Sequence, residues 1–268
     1  MNKTKIEWTD MTWNPVTGCL HRCPYCYANR QAERFSGYDP LYNPNFDFES
    51  GCYIIKKPMY KRDATGIVRK APFPFEFAPT FHTYKLEEPL RRKKPTTIFV
   101  CSMADLFGEW VPNEWIQEVF KACAKAPWHT YIFLTKNPAR YMDLILEGIL
   151  KPEPNFWFGS TVTVPEDLFF YCDGMNTFVS IEPIMAQFPD DDNNMIRNIK
   201  WVIIGAETGN RSGKVIPERE WITGLVKQCH EAKTPVFLKD SVQKIMGPDY
   251  DLRPLQQFPE NMKGAKEA

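Results

Sequence analysis

The sequence lacks a long apolar run. No stretch reaches the roughly 18 residues of a membrane span, and the opening, Met1 to Asp10, is too polar for a secretory leader. It also lacks net charge, with 33 basic residues balanced by 33 acidic ones. No long-range field therefore draws it to nucleic acid or an anionic membrane, and any such binding has to be local. There is no solenoid-type repeat and no second C-x-x-C pair. Gly205-Ala206-Glu207-Thr208-Gly209 carries glycines without the lysine and hydroxyl ending that cradles phosphates, which excludes a P-loop triphosphatase. Together these absences point to a cytoplasmic chain with no membrane partner.

What is present is material for a core: 43% of the 268 residues are apolar and 14% aromatic, enough for one large domain. From residue 97 onward, short apolar runs alternate with segments of helical period, the pattern of strand and helix units around a parallel sheet. Strands are expected at Thr97 to Cys101, Thr130 to Leu134, Phe156 to Ser160, Thr177 to Ile181, Lys200 to Gly205 and Pro235 to Leu238. Their nearly continuous apolar character implies cover on both faces. Helices are expected over Pro112 to Ala126, after an Asn137 cap and Pro138, and from Pro217 through Cys229. Met185 to Asn198, with its Asp-Asp-Asp-Asn-Asn run, reads as a polar loop with at most one helical turn.

Residues 36 to 95 carry many prolines and aromatics with little periodicity and read as an irregular insertion. Lys56, Lys57, Lys61, Arg62, Arg69, Lys70 and Arg91 to Lys94 form either a local phosphate-tracking patch, with nucleic acid as candidate partner, or an ordinary solvated surface. The domain is expected over 1–247, insertion included, followed by a polar tail over 248–268.

The densest chemical signal lies in the cysteines. Five of the eight are scattered, at Cys52, Cys101, Cys123, Cys172 and Cys229, while Cys19, Cys23 and Cys26 fall within eight residues. That layout argues for ligation rather than cross-linking. Three local thiolates bind three irons of a [4Fe-4S] cubane and leave the fourth open to a cofactor or substrate. The rival is a zinc knuckle completed by a histidine, a metal-stabilised nucleic-acid or protein binding module without catalysis. His21 itself reads as a solvent-exposed loop residue. A Cys-His hydrolase built on a scattered cysteine with His82, His129 or His230 is the third chemistry the residue types allow.

A second signal is independent of the cysteines. Each expected strand ends in functional side chains: Ser102 and Asp105, Thr135 and Lys136, Ser160 and Thr161, Ser180 and Glu182, Glu207 and Thr208, Lys239 and Asp240. One such residue is a turn or cap; six in register resemble the strand ends at which barrel enzymes build their sites. Trp8, Asp10, Trp13 and Asn14, just ahead of the cysteine loop, suit either a pocket lining or a core.

The array Cys19-Leu20-His21-Arg22-Cys23-Pro24-Tyr25-Cys26, followed by an expected short helix from Tyr27 to Phe35, resembles the signature of the radical S-adenosylmethionine superfamily. Trp13-Asn14-Pro15-Val16-Thr17-Gly18-Cys19, the run from Phe99 to Phe107, Leu134-Thr135-Lys136, Ser180-Ile181-Glu182-Pro183 and Val202 to Gly209 resemble more closely an uncharacterised phage-associated family of such enzymes. The resemblance spans nearly the whole chain, although many members space the first two cysteines more widely. It implies a partial TIM-like α/β barrel of six or seven parallel strands. It further implies a [4Fe-4S] cluster on the three cysteines, S-adenosylmethionine on the open iron, an electron donor as partner, and reductive cleavage to a 5′-deoxyadenosyl radical. Tyr25 would pack near the adenine. The superfamily's Gly-Gly-Glu segment is absent, and Ser102 to Asp105 would stand in its place. Lys136 would meet the cofactor's carboxylate, Ser180 and Glu182 its ribose, and Gly205 to Glu207 its adenine. The substrate implied is nucleic acid or a nucleotide, with a peptide or small molecule as the other reading.

Overall fold

A computed structural model of the chain describes residues 1–43, 46–190, 195–208, 211 and 213–262. The N-terminal part comprises β1 (Asn2–Lys3), β2 (Met11–Trp13), β3 (Val16–Thr17), α1 (Tyr27–Phe35), β4 (Asp47–Glu49), β5 (Cys52–Ile55), β6 (Tyr60–Arg62), β7 (Val68–Lys70), β8 (Thr80–His82) and α2 (Glu88–Arg91). Then follow β9 (Thr97–Val100), α3 (Asn113–Ala124), β10 (Thr130–Thr135), α4 (Ala139–Leu146), β11 (Phe156–Thr161) and β12 (Asn176–Ile181). The chain continues through β13 (Val202–Ile204), α5 (Arg219–Ala232), β14 (Val236–Leu238) and α6 (Gln243–Met246). All six strands expected after residue 97 form, as does α1.

The protein is mixed α/β with one large, mostly parallel sheet in the order β1-β2-β9-β10-β11-β12-β13-β14. Only β1 runs antiparallel; β2 and β9 to β14 are parallel throughout. Alternation along each strand sends residues to opposite faces. On one face Ile98, Val100, Tyr131, Phe133, Phe156 and Phe158 pack against Trp115, Ile116, Val119 and Cys123 of α3 and Tyr141 and Leu144 of α4. Farther along it, Val179, Ile181, Val202, Ile204, Val236 and Leu238 meet Ile222, Leu225, Val226 and Cys229 of α5. The other face gathers Phe99, Ile132, Trp157, Phe178, Ile203 and Phe237 with Trp8, Trp201 and Met262 into one mostly aromatic cluster. Each such side chain contributes about 1.5–3 kcal/mol by leaving water. Burial on both faces explains the continuous apolar runs.

Several expectations are corrected. The 36–95 insertion is not irregular: β3, β8, β5 and β4 make a second, mixed sheet, and β6 and β7 a separate hairpin. Asn137 does not cap α4; its side-chain amide donates to the Phe107 carbonyl at 3.0 Å, tying the turn after β10 to the loop after β9. Of the two readings of the residues ahead of the cysteine loop, the core one holds for the tryptophans: Trp8 and Trp13 are 2% and 0% exposed, and Asp10 accepts from the Thr97 amide at 3.0 Å. Residues 248–262 pack back on the sheet, with Leu252, Leu255 and Met262 buried. Met195–Asn198 is a single 3-10 turn, whereas 191–194, most of the acidic run, lie outside the described residues. Among the described residues no helix is long and apolar enough to cross a membrane.

Candidate functional site

Because the seven strands are parallel and in register, their C-terminal ends share one edge. Thr135 stands beside Ser160, Thr161 beside Ser180, and Ile181 beside Ile204, which neighbours Leu238. The polar series read from the sequence therefore lies along this edge, and the side chains there form two networks.

The first gathers around the cysteine loop. After β2 the chain passes Asn14 and Pro15, forms β3 in the second sheet, and turns at Gly18 into the loop. The Gly18 amide donates to the Met103 carbonyl at 2.9 Å and the Cys19 amide to the Phe77 carbonyl at 3.1 Å, so the loop is seated between the end of β9 and the insertion. Gly18 has φ +89°, and a Cβ there would lie 2.2 Å from the Ala78 carbonyl oxygen. Glycine is required on both counts. Cys26 is the N-cap of α1, its sulfur accepting from the Asn29 amide at 3.3 Å.

Asp105, buried at 5% exposure, is the hub of this network. One oxygen accepts from Thr135 Oγ1 at 2.7 Å and the Phe107 amide at 3.0 Å. The other accepts from the Lys136 amide at 2.9 Å and His21 Nε2 at 2.8 Å. His21 is thus not a solvent-exposed loop residue: a carboxylate holds its ring, and its edge meets Trp110 at 4.9 Å between centroids. Lys136 Nζ donates to the Tyr25 hydroxyl at 2.9 Å. Ser102 Oγ donates to Asn14 Oδ1 at 3.2 Å, and the Tyr27 hydroxyl to the Ser102 carbonyl at 2.7 Å.

The second network lies at the ends of β12, β13 and β14. Lys239 pairs with Glu182 and, at 3.6 Å, with Glu7. Glu7 also accepts from the Asp240 amide at 2.7 Å. A Cβ on Gly205 would come within 3.1 Å of both Glu182 and Lys239, so the lack of a side chain there lets the pair close. Glu207 is buried; one oxygen pairs with Arg211 Nε at 2.5 Å, and the other has no hydrogen-bond partner among the described residues. Ser180, on β12, is buried at the strand end.

Sequence reasoning found the row of strand-end polar residues and missed His21, Asn14 as an acceptor, and Glu7. Only the position of His21 inside the cysteine array could have drawn attention to it, since its partner lies 84 residues away. The remaining cysteines are free, and Cys52, Cys101, Cys123 and Cys229 are buried, their thiols pushed up by desolvation. His82 faces Thr17 and Tyr84, and His129 the carbonyls of Pro89 and Arg92, so the hydrogen bonds of these two rings go to groups other than a thiol. In the insertion, Lys56, Arg69 and Arg91 are paired with acids, Lys61 bonds the Ser36 carbonyl, and Arg62 lies over Tyr42.

The three thiols fit a cluster in their donor chemistry. Burial pushes Cys19 up to about 12, with Asp105, Cys23 and Cys26 adding repulsion; Cys23 is raised by burial and eased by Lys136. To ionise beside a carboxylate, three such thiols would need a positive centre, and iron would supply one. Among the described residues no three His, Cys, Asp or Glu side chains are grouped to hold one metal ion. A cubane does not ask for that grouping, since each thiolate binds a different iron.

His82 yields a prediction about the support of this loop. Fully buried on β8, with Thr17 Oγ1 2.7 Å from its Nε2, it is held well below the usual histidine range by desolvation and by Lys85. The unfolded chain takes up a proton below about pH 6.5 that the folded chain resists, so stability is complete above that pH and falls as pH drops through it. The expected slope is up to about 1.4 kcal/mol per pH unit. Denaturant midpoints between pH 7.5 and 5 would check it, and an equal slope in His82→Gln would assign the loss to other groups.

A parallel α/β sheet with a three-cysteine loop seated on its C-terminal edge is the class of protein defined so far. The chain belongs to the family described as Protein of unknown function (DUF5131), which matches residues 3–247. No curated protein and no solved structure matches it.

Proposed function

We propose that this protein is a radical S-adenosylmethionine enzyme on a partial barrel of seven parallel strands. The curl of the sheet supports the barrel: Glu7, ahead of β2, bonds the residues that end β14, so groups flanking the two ends of the parallel array touch. The observation that carries the function is the placement of Cys19, Cys23 and Cys26 on a single loop fastened to the C-terminal edge of that array.

The three thiolates would hold a [4Fe-4S] cluster, which when bound passes an electron to S-adenosylmethionine and cleaves it to methionine and a 5′-deoxyadenosyl radical. The residues around it bind and orient. Lys136, with its ammonium at the mouth of the loop, suits the carboxylate of the methionine moiety, exchanging its bond to Tyr25 for a charge-assisted one. Ser180 and Glu182 suit the ribose hydroxyls, and Gly205 to Glu207 the adenine edge, where a buried Glu207 oxygen, without a partner among the described residues, calls for a donor. Asp105 has both oxygens filled from within the chain. It therefore leaves the set of cofactor contacts that the resemblance implies and orders the edge instead. A nucleic-acid substrate is favoured by the resemblance and by the cations of the insertion, most of which bond within the chain, so the proposal stops at the cofactor reaction.

The test is 5′-deoxyadenosine production by anaerobically reconstituted protein with reductant and S-adenosylmethionine, beside Cys23→Ala. Wild type is expected to produce it and the variant to fall to background. Zinc bound in place of iron and sulfide, with no product, would return the chain to a metal-stabilised binding module.

A further inference from the structure

We infer that His21, held by Asp105, is a positioning residue that sets the cysteine loop before any metal arrives; the inference rests on the cluster reading. Three residues separate Cys19 from Cys23. Leu20 is exposed at 48%, and Arg22 takes a left-handed turn with φ 54°. His21, at the midpoint, is the one turned onto the sheet edge. Its ring is fixed on two sides, by Asp105 at 2.8 Å and by the Trp110 edge at 4.9 Å.

The holder is rigid. Of the four hydrogen bonds to Asp105, three come from Thr135, the Lys136 amide and the Phe107 amide, all outside the cysteine loop. The carboxylate is thus aimed by the ends of β9 and β10 and offers the loop a single remaining acceptor site. Nε2 is the ring atom turned to Asp105, at 2.8 Å, so the contact fixes which edge of the imidazole faces the carboxylate. The loop is then pinned at its entry by the Gly18 and Cys19 amides, at its centre by His21, and at its exit by the Tyr27 hydroxyl on the Ser102 carbonyl at 2.7 Å. Releasing the centre frees the segment that sets the Cys19 to Cys23 spacing while leaving both anchored ends in place. Partners of this kind, one shell out from the ligands, typically change metal retention by about 10–100-fold.

The experiment compares wild type, His21→Ala, His21→Gln, Asp105→Asn and the double variant His21→Ala/Asp105→Asn. In the first arm, reconstituted proteins are challenged with a chelator, and the reduced clusters are examined by electron paramagnetic resonance. Cluster loss is expected to be about tenfold faster in each alanine or asparagine variant, with an altered resonance line shape. The double variant should be no faster than either single one, and His21→Gln, whose amide can still donate to Asp105, should recover most of the lifetime. In the second arm, metal-free proteins are alkylated and the rates at Cys19 and Cys23 measured; His21→Ala is expected to react several-fold faster with an unchanged melting temperature. Wild-type rates for His21→Ala in both arms would overturn the inference, as would additive losses in the double variant. Should wild type take up no iron and sulfide, the radical reading falls, and the alkylation rates alone decide whether His21 sets the loop.

Discussion

Gly18→Ala is expected to unseat the cysteine loop and to cost about 3–5 kcal/mol, among the largest effects of any single substitution. Two penalties combine. The backbone at Gly18 has φ +89°, a region that costs an L-residue roughly 1–2 kcal/mol. The added methyl also meets the backbone of Ala78, its carbonyl oxygen at 2.2 Å and its carbonyl carbon at 2.4 Å. Relief requires the chain to withdraw from residues 77–78, which breaks the Cys19 amide bond to Phe77 and strains the Gly18 amide bond to Met103. Gly174→Ala is the matched control, since Gly174 has φ +81° and nothing within 4 Å of a new Cβ. It carries the backbone strain without the clash and is expected to lose about 1 kcal/mol. Urea midpoints of the two variants, with iron uptake of Gly18→Ala, would check this. Equal losses would mean that the loop yields freely at Ala78 and is not seated there.

The seat at Gly18 also explains why the N-terminal part of the chain folds as it does. The two-residue strand β3 connects the main sheet to the second sheet through its pairing with β8. His82, on β8, supports Thr17 from below, and Ala78, just ahead of β8, forms the wall against Gly18. The insertion therefore backs the cysteine loop, and its order rests on the pairing of β3, β8, β5 and β4 and on the burial of Cys52, Ile55 and Phe81.

That division governs what could be read in advance. The strands after residue 97 were legible because both their faces are buried, which writes unbroken apolar runs such as Phe156 to Phe158 and Val202 to Ile204. The second sheet and the β6–β7 hairpin were not, because strands of two to four residues are too short to show a period, and β4 and β7 are exposed throughout. The row of polar strand ends was legible for a geometric reason: parallel strands must finish on one edge. Which of those residues would be consumed by internal bonds was not. Asp105 reads as a ligand-facing carboxylate until its four donors are known, and His21 as a loop residue until the fold brings it to a partner 84 positions away.

Ending the chain at Gly247 is expected to be as damaging as the loss of a core layer, although the family match closes there and the composition beyond reads as a polar tail. Leu252, Leu255 and Met262 are buried, and Phe258 packs on Trp201 and Phe237. At about 1.5–3 kcal/mol for each large apolar side chain, removal of these four forfeits about 6–12 kcal/mol, comparable with the whole stability of an ordinary domain. The backbone suffers as well. The Gln257 amide donates to the Val236 carbonyl at 3.0 Å, the Gln257 side chain accepts from the Val236 amide at 3.2 Å, and Trp201 Nε1 donates to the Gln257 carbonyl at 2.9 Å. Without residues 256 and 257, the outer edge of β14 is left with open hydrogen-bonding groups beside an exposed aromatic cluster, a setting for aggregation. The 1–247 protein is accordingly expected in the insoluble fraction, or with a urea midpoint far below that of the full chain. Gln257→Ala, which keeps the main-chain bonds of residue 257 and the apolar anchors but leaves the Val236 amide without its acceptor, should lose only about 1–3 kcal/mol. A soluble 1–247 protein with an unshifted midpoint would mean that the inner aromatic cluster is closed by Trp8 and Trp201 alone.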